Sequence, residues 1–198
     1  MDLETFELIK NKYGLIASWA IWGEEGDTPK SNMGDLSVFD LSKNTNLLNQ
    51  LNPNIILVAL NFSYDVPENE LRIFANFHGK GGGAYKLRYG LRNTVLWGAY
   101  ITDIIKNFPE MESANVMKYL KNNPEFVKEN IITFEEELND LGATDPIIVA
   151  LGGDTYKILS KNLNPKYKIF RTTHYSHYIS KENYRTKIYE DIVNKINL

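Results

Sequence analysis

The chain has 198 residues, a formal net charge of −3 at pH 7, 43% hydrophobic and 24% charged residues, and no cysteine. That length supports one good hydrophobic core, and the apolar-to-charged balance is ordinary for a globular chain. The composition excludes disulfides, a thiolate nucleophile and thiolate metal ligands. The acidic balance argues against a chain-wide grip on nucleic acid but leaves room for a local basic face.

Along the chain, residues 2–12 have a helical pattern. The segment GLIASWAIWGEEGDTPKSNMGD that follows is broken by glycine, proline and asparagine. Within it SWAIW is a candidate short strand whose tryptophans suit packing. Residues 1–50 therefore read as an irregular N-terminal extension packed on the rest, the whole of 1–198 forming one domain. IILVAL (55–60) is β-branched and fully apolar, the pattern of a central parallel strand buried on both faces. It is also the longest apolar run, far too short to span a bilayer. MDLETFELIK lacks the features of a signal peptide, so a cytoplasmic protein without membrane contact is expected.

LRIFANFHG carries Phe74 and Phe77 at helical spacing. GKGGGAYKLRYGLR (79–92) gathers Lys80, Lys86, Arg88 and Arg92 without an intervening acid. It lacks the G-K-[ST] order of a Walker loop. A mobile loop with phosphate contacts from those four residues is expected. AYITDIIK (99–106) is a second strand candidate, and ENIITFEEELNDLG (129–142) is a helix stopped by glycine. PIIVALGGDTYKILSKNL (146–163) reads as strand, glycine turn and helix. YKIFRTTHYS (167–176) is a last strand running into a loop, and KENYRTKIYEDIVNKINL is a terminal amphipathic helix.

Strands alternating with helices predict an α/β fold, a three-layer α/β/α sandwich on a central, mainly parallel four-stranded sheet. Ligands of such sheets sit beyond the carboxyl ends of the strands. LNFS, ITD, LGGD and THYSH all fall on that rim, which turns scattered polar residues into one candidate site.

These segments resemble the uracil-DNA glycosylase superfamily over residues 50–190. IILVALNFSYD places Asn61 at the D/N position of a motif that reads G-x-D/N-P-x. His174-Tyr175-Ser176 occupies the place of H-P-S, and Tyr100-Ile101-Thr102-Asp103 that of a strand ending before I-T-N. VALGGDTYKIL resembles the family's third strand and glycine turn. The resemblance implies a hydrolase of glycosidase type that cleaves base–deoxyribose bonds, a place in DNA repair, and DNA or a nucleotide as ligand. It implies His174 as donor to the departing base and Asn61 as holder of the attacking water through its carbonyl, a slower arrangement than aspartate because an amide takes no proton. Asp103 would read the base, Phe77 would stack on it, and Ser63, Ser176 and His177 would complete the substrate contacts. Neither metal nor cofactor is expected, since His174, His177 and His78 come without an H-E-x-x-H signature.

The departures carry meaning. Ala59 stands for the motif's glycine, and Phe62 and Tyr175 stand for prolines, which is expected to narrow the pocket. Ionised Asp103 can only accept a hydrogen bond, so it favours a base with an amino group over uracil. The plainer roles remain open: Asn61 capping a turn, Asp103 pairing with a lysine, the histidines decorating a polar loop. The alternative function is a non-catalytic nucleic-acid or nucleoside-binding protein of the same fold.

Overall fold

The computed structural model describes residues 1–62, 71–106 and 108–196; Ser63 lies outside them. Helix α1 (Leu3–Tyr13) opens on Asp2, whose carboxylate accepts from the Thr5 N–H at 2.8 Å, a cap that satisfies one of the orphan amides of the first turn. Strand β1 (Ser18–Trp19) and the short α2 (Leu47–Gln50) precede the long β2 (Asn52–Asn61). Then come α3 (Tyr85–Leu91), β3 (Ala99–Ile105), α4 (Ser113–Asn122), α5 (Pro124–Asp140), β4 (Ile147–Leu151), α6 (Gly153–Leu163), β5 (Lys168–Thr172) and α7 (Lys181–Ile188). A π-helical turn (Tyr189–Val193) leads to α8 (Asn194–Ile196).

The sheet order is β1-β3-β2-β4-β5. The four strands β2 to β5 run parallel, and β1 adds an antiparallel fifth strand at the β3 edge. The expected four-stranded sheet thus gains one strand from SWAIW, shortened to the two residues that pair with Tyr100 and Ile101. From residues 1–50, Phe6, Ile9, Tyr13 and Trp19 are buried in the core.

Strand periodicity divides the core into two. Ile56 and Val58 point into a cluster with Tyr100, Phe134, Leu138 and Leu159, under α1, α4, α5 and α6. Leu57 and Ala59 point into the other, with Ile101, Leu87, Tyr184 and Ile188, under α3 and α7. Ile56, Leu57 and Val58 are wholly buried, each worth about 1.5–3 kcal/mol relative to exposure. Those two clusters are the interfaces of a three-layer α/β/α sandwich. Among the described residues no helix is long and apolar enough to cross a membrane.

Two expectations give way. Residues 85–91, expected in a loop, form α3 because Leu87 and Leu91 bury one face against the sheet. The helical spacing of Phe74 and Phe77 does not make a helix: both have positive φ, 61° and 67°, in a turn that buries their rings.

Candidate functional site

The carboxyl ends of β2, β3 and β4 open on a cleft of about 560 Å³. Asn61, Asp103, Gly152, Gly153, His174, Tyr175, Ser176 and His177 line it. Three side chains that lie far apart in sequence thus face one space: Asn61 ends β2, Asp103 lies late in β3, and His174 follows β5.

Asn61 is held by its amide. Nδ2 donates to the carbonyls of Phe108 at 3.1 Å and Glu110 at 2.7 Å. Both N–H bonds go to acceptors, which fixes the orientation of the amide and leaves Oδ1 as the available acceptor. The turn-holding role and a water-positioning role are therefore compatible in one side chain.

Asp103 is opposite Ala59 in the β2–β3 register and only 3% exposed. Its Oδ2 accepts from Asn76 Nδ2 at 3.0 Å, and Asn76 is anchored in turn to the Ile16 carbonyl at 2.7 Å. Burial pushes the carboxyl pKa up to about 7, against the opposing pull of Asn76 and of the Lys106 ammonium. On the other face of β3, Glu137 takes hydrogen bonds from Tyr100 and Thr102 and pairs with Lys106 at 2.6 Å. Lys106 also donates to the Asp103 carbonyl at 2.7 Å. This buried network stiffens the strand end that presents Asp103.

His174 receives the backbone N–H of Ser176 at Nδ1, 3.2 Å away, with the Ser176 hydroxyl at 2.7 Å from the same atom. A backbone N–H can only donate, so Nδ1 is the acceptor and the ring proton sits on Nε2. Partial burial, aided by the Lys86 ammonium, pushes the pKa down to about 4, and the ring is neutral at pH 7. Tyr175 stacks on it with centroids 4.2 Å apart. His177 is exposed; its N–H donates to the His174 carbonyl at 3.0 Å, closing the turn.

The glycine-rich stretch serves the cleft in an unexpected way. Gly82 is part of the wall, and Gly83, at φ 86°, lies so close to the 174–177 loop that a Cβ there would sit 2.7 Å from the Tyr175 carbonyl oxygen. Lys86 is buried and donates to the His177 carbonyl at 2.7 Å. Arg88, 1% exposed, donates to the carbonyls of Gly23, Pro29 and Ser31, clamping the N-terminal loop. Arg92 pairs with Glu24. Of the four expected phosphate contacts, Arg88 is corrected to a structural clamp, while Lys86 and Arg92 are engaged within the protein; Lys80 alone is exposed without such a partner among the described residues.

Phe77 does not line the cleft. Its ring is buried in the core and meets Tyr175 edge-on, with ring centroids 6.5 Å apart. His78 is buried between Trp22 and Phe39, with Nε2 3.3 Å from the Trp19 carbonyl oxygen; burial pushes its pKa down to about 3. Among the described residues no group of three or more histidine and acidic side chains is arranged to hold a metal.

Sequence reasoning missed Met111 and Glu112 of the β3–α4 connection and Ser113 at the start of α4, which line the cleft. Nothing local marks them. They reach the site because Asn61 holds the Phe108 and Glu110 carbonyls across the end of β2. No protein-family model matches the chain, nor does any curated protein or solved structure.

Proposed function

We propose that the cleft binds a nucleobase and that the protein hydrolyses the bond between such a base and its deoxyribose. What carries this reading is the complementary chemistry of three side chains on one cleft: a carbonyl acceptor at Asn61 that is unengaged among the described residues, a carboxyl at Asp103, and a neutral imidazole with its proton on Nε2 at His174. In such a hydrolysis the C1′–N bond breaks with its electron pair leaving on the base. Water adds at C1′, and its proton ends on the departing base anion. A neutral N–H donor stabilises that anion without a competing charge in the ground state, which lowers the barrier. Asn61 Oδ1 orients the water and takes no proton, so turnover is slow.

Asp103 gives the reading its base preference. With Oδ2 engaged by Asn76, Oδ1 is the atom left for the ligand. Protonated, it donates to a base carbonyl such as uracil O4; ionised, it accepts from an amino group such as cytosine N4. With a pKa near 7 both states are populated at neutral pH. Uracil or hypoxanthine release is favoured below that pH and cytosine or adenine release above it.

The second reading, a base-binding protein without turnover, draws on Tyr175, whose ring lies against the His174 imidazole and occupies space beside the donor. Single-turnover assays on strands carrying uracil, cytosine or hypoxanthine separate the two. Release of free base with formation of abasic sites supports the hydrolase. Binding of free base without release from any strand supports the binder, and neither binding nor release overturns both.

A further inference from the structure

A second cavity, about 810 Å³, adjoins the first. Ile169, Phe170, Arg171 and Thr172 line it consecutively. Successive strand residues point to opposite faces, so a cavity touched by four in a row follows the strand's edge. That edge is the open one: β5 ends the sheet order and has no strand beyond it among the described residues. The far wall comes from the C-terminal segment through Lys187, Asp191 and Lys195.

The charge of this groove is one-sided. Arg171, Lys187 and Lys195 are exposed and line it. Arg171 lies over the Tyr156 ring, 5.6 Å from its centroid, and neither it nor Lys195 makes a side-chain hydrogen bond or ion pair among the described residues. Among the described residues Lys187 pairs with Glu190 alone. The single acid of the lining, Asp191, accepts from the Thr172 hydroxyl at 3.0 Å. Elsewhere the basic residues that looked available in the sequence, Lys86, Arg88 and Arg92, are engaged internally. The two cavities share Gly152, Gly153, His174 and His177. The glycines leave this junction without side chains, and a Cβ on Gly153 would meet nothing within 4 Å.

We propose that the groove beside β5 is a phosphate-binding tract, held by Arg171, Lys187 and Lys195, that takes the phosphate groups of the ligand whose base enters the adjoining cleft. The inference rests on the base-site reading for the identity of the ligand, but the tract itself is testable without a base. An extended acidic peptide would also suit a cationic strand edge. The passage into the cleft favours a phosphate-bearing ligand, because a peptide lying along β5 has no use for that passage. A second copy of the chain does not suit the edge, since two such grooves would face each other with like charge.

The probe is a short fluorescent strand of abasic deoxyribose phosphates, which offers phosphates and no base. It should bind the unmodified protein with an affinity that falls as salt rises, the slope measuring displaced counterions. The combined variant Arg171→Gln, Lys187→Gln, Lys195→Gln should lower the logarithmic slope by roughly 2, about 0.7 for each phosphate no longer neutralised. A control variant with the same loss of charge elsewhere, Lys10→Gln, Lys43→Gln, Lys128→Gln, should leave it nearly unchanged. The altered side chains are exposed except that of Lys10, which is half-buried, and equal thermal midpoints confirm that folding is intact. Competition by inorganic phosphate or a deoxynucleoside monophosphate as strong as by the strand identifies a free nucleotide as the source; much stronger competition by the strand identifies a polynucleotide. Equal slopes for the groove variant and the parent overturn the tract, as does equally tight binding of poly-glutamate. Normal abasic-strand binding with no base release from any substrate leaves the tract standing and removes the base-hydrolysis reading alone.

Discussion

Replacing Asp103 by asparagine removes the ionisation of the most deeply buried acid on the cleft while keeping its shape. The Asn76 N–H retains an acceptor in the amide oxygen. A carboxyl whose pKa rises from 3.8 to about 7 on folding binds its proton more tightly in the native state. Between those pH values the folded chain holds more protons than the unfolded one, so this group makes stability fall as pH rises. The full cost of ionising it in place is about 4 kcal/mol, from roughly 1.4 kcal/mol for each unit between the two values; water in the cleft makes that an upper bound. Asp103→Asn should therefore match the parent near pH 4 and exceed its stability progressively up to pH 8. At 2–4 °C per kcal/mol for a chain of this size, the melting gap at pH 8 is at most about 8–16 °C. Thermal and urea unfolding of both proteins, taken as a difference at each pH, cancels His78 and His174, whose depressed pKa values act in the opposite direction as pH falls below 6.5. Parallel curves from pH 4 to 8 would show that Asp103 ionises as if solvated and would remove the carboxyl from the base-reading argument.

Other consequences are as direct. His174→Ala should lower single-turnover base release by about 10²–10³, whereas His177→Ala, which removes an exposed ring whose backbone holds the turn, should cost less than about tenfold, or roughly 1.4 kcal/mol; equal small effects would return the loop to a surface role. Arg88→Ala should destabilise the fold by about 1.5–3 kcal/mol, because three carbonyls of the N-terminal loop lose a charged donor whose own side chain is buried, without changing the salt dependence of strand binding; a stable variant with a flatter slope would restore Arg88 as a phosphate ligand. Asn61→Asp should not raise turnover. It sets a carboxylate oxygen against the Phe108 and Glu110 carbonyls and should cost about 1–3 kcal/mol in urea unfolding, and a faster enzyme of unchanged stability would contradict the amide geometry.

The strands of the sheet were legible because burial on both faces favours apolar runs: IILVAL and IIVAL are wholly apolar, AYITDII mostly so, and each lies within an observed strand. The placement of Asn61, Asp103 and His174 on one rim followed from that alternation, since parallel strands align their carboxyl ends. The fate of the basic residues could not be read in the same way. A run of lysine and arginine looks alike whether the side chains reach solvent or fold back onto carbonyls. Only the N-terminal loop folding onto α3 decided that Arg88 would be buried, its guanidinium on the Gly23, Pro29 and Ser31 carbonyls, while Arg171, in β5, would stay exposed. The same holds for Phe77, where aromatic character is local but the direction of the ring depends on a positive φ in the turn. Periodicity records which face of an element is apolar, and so the sequence determined the layers and the rim. Which polar group is buried, paired or left free depends on partners distant along the chain, and tertiary structure alone decided that.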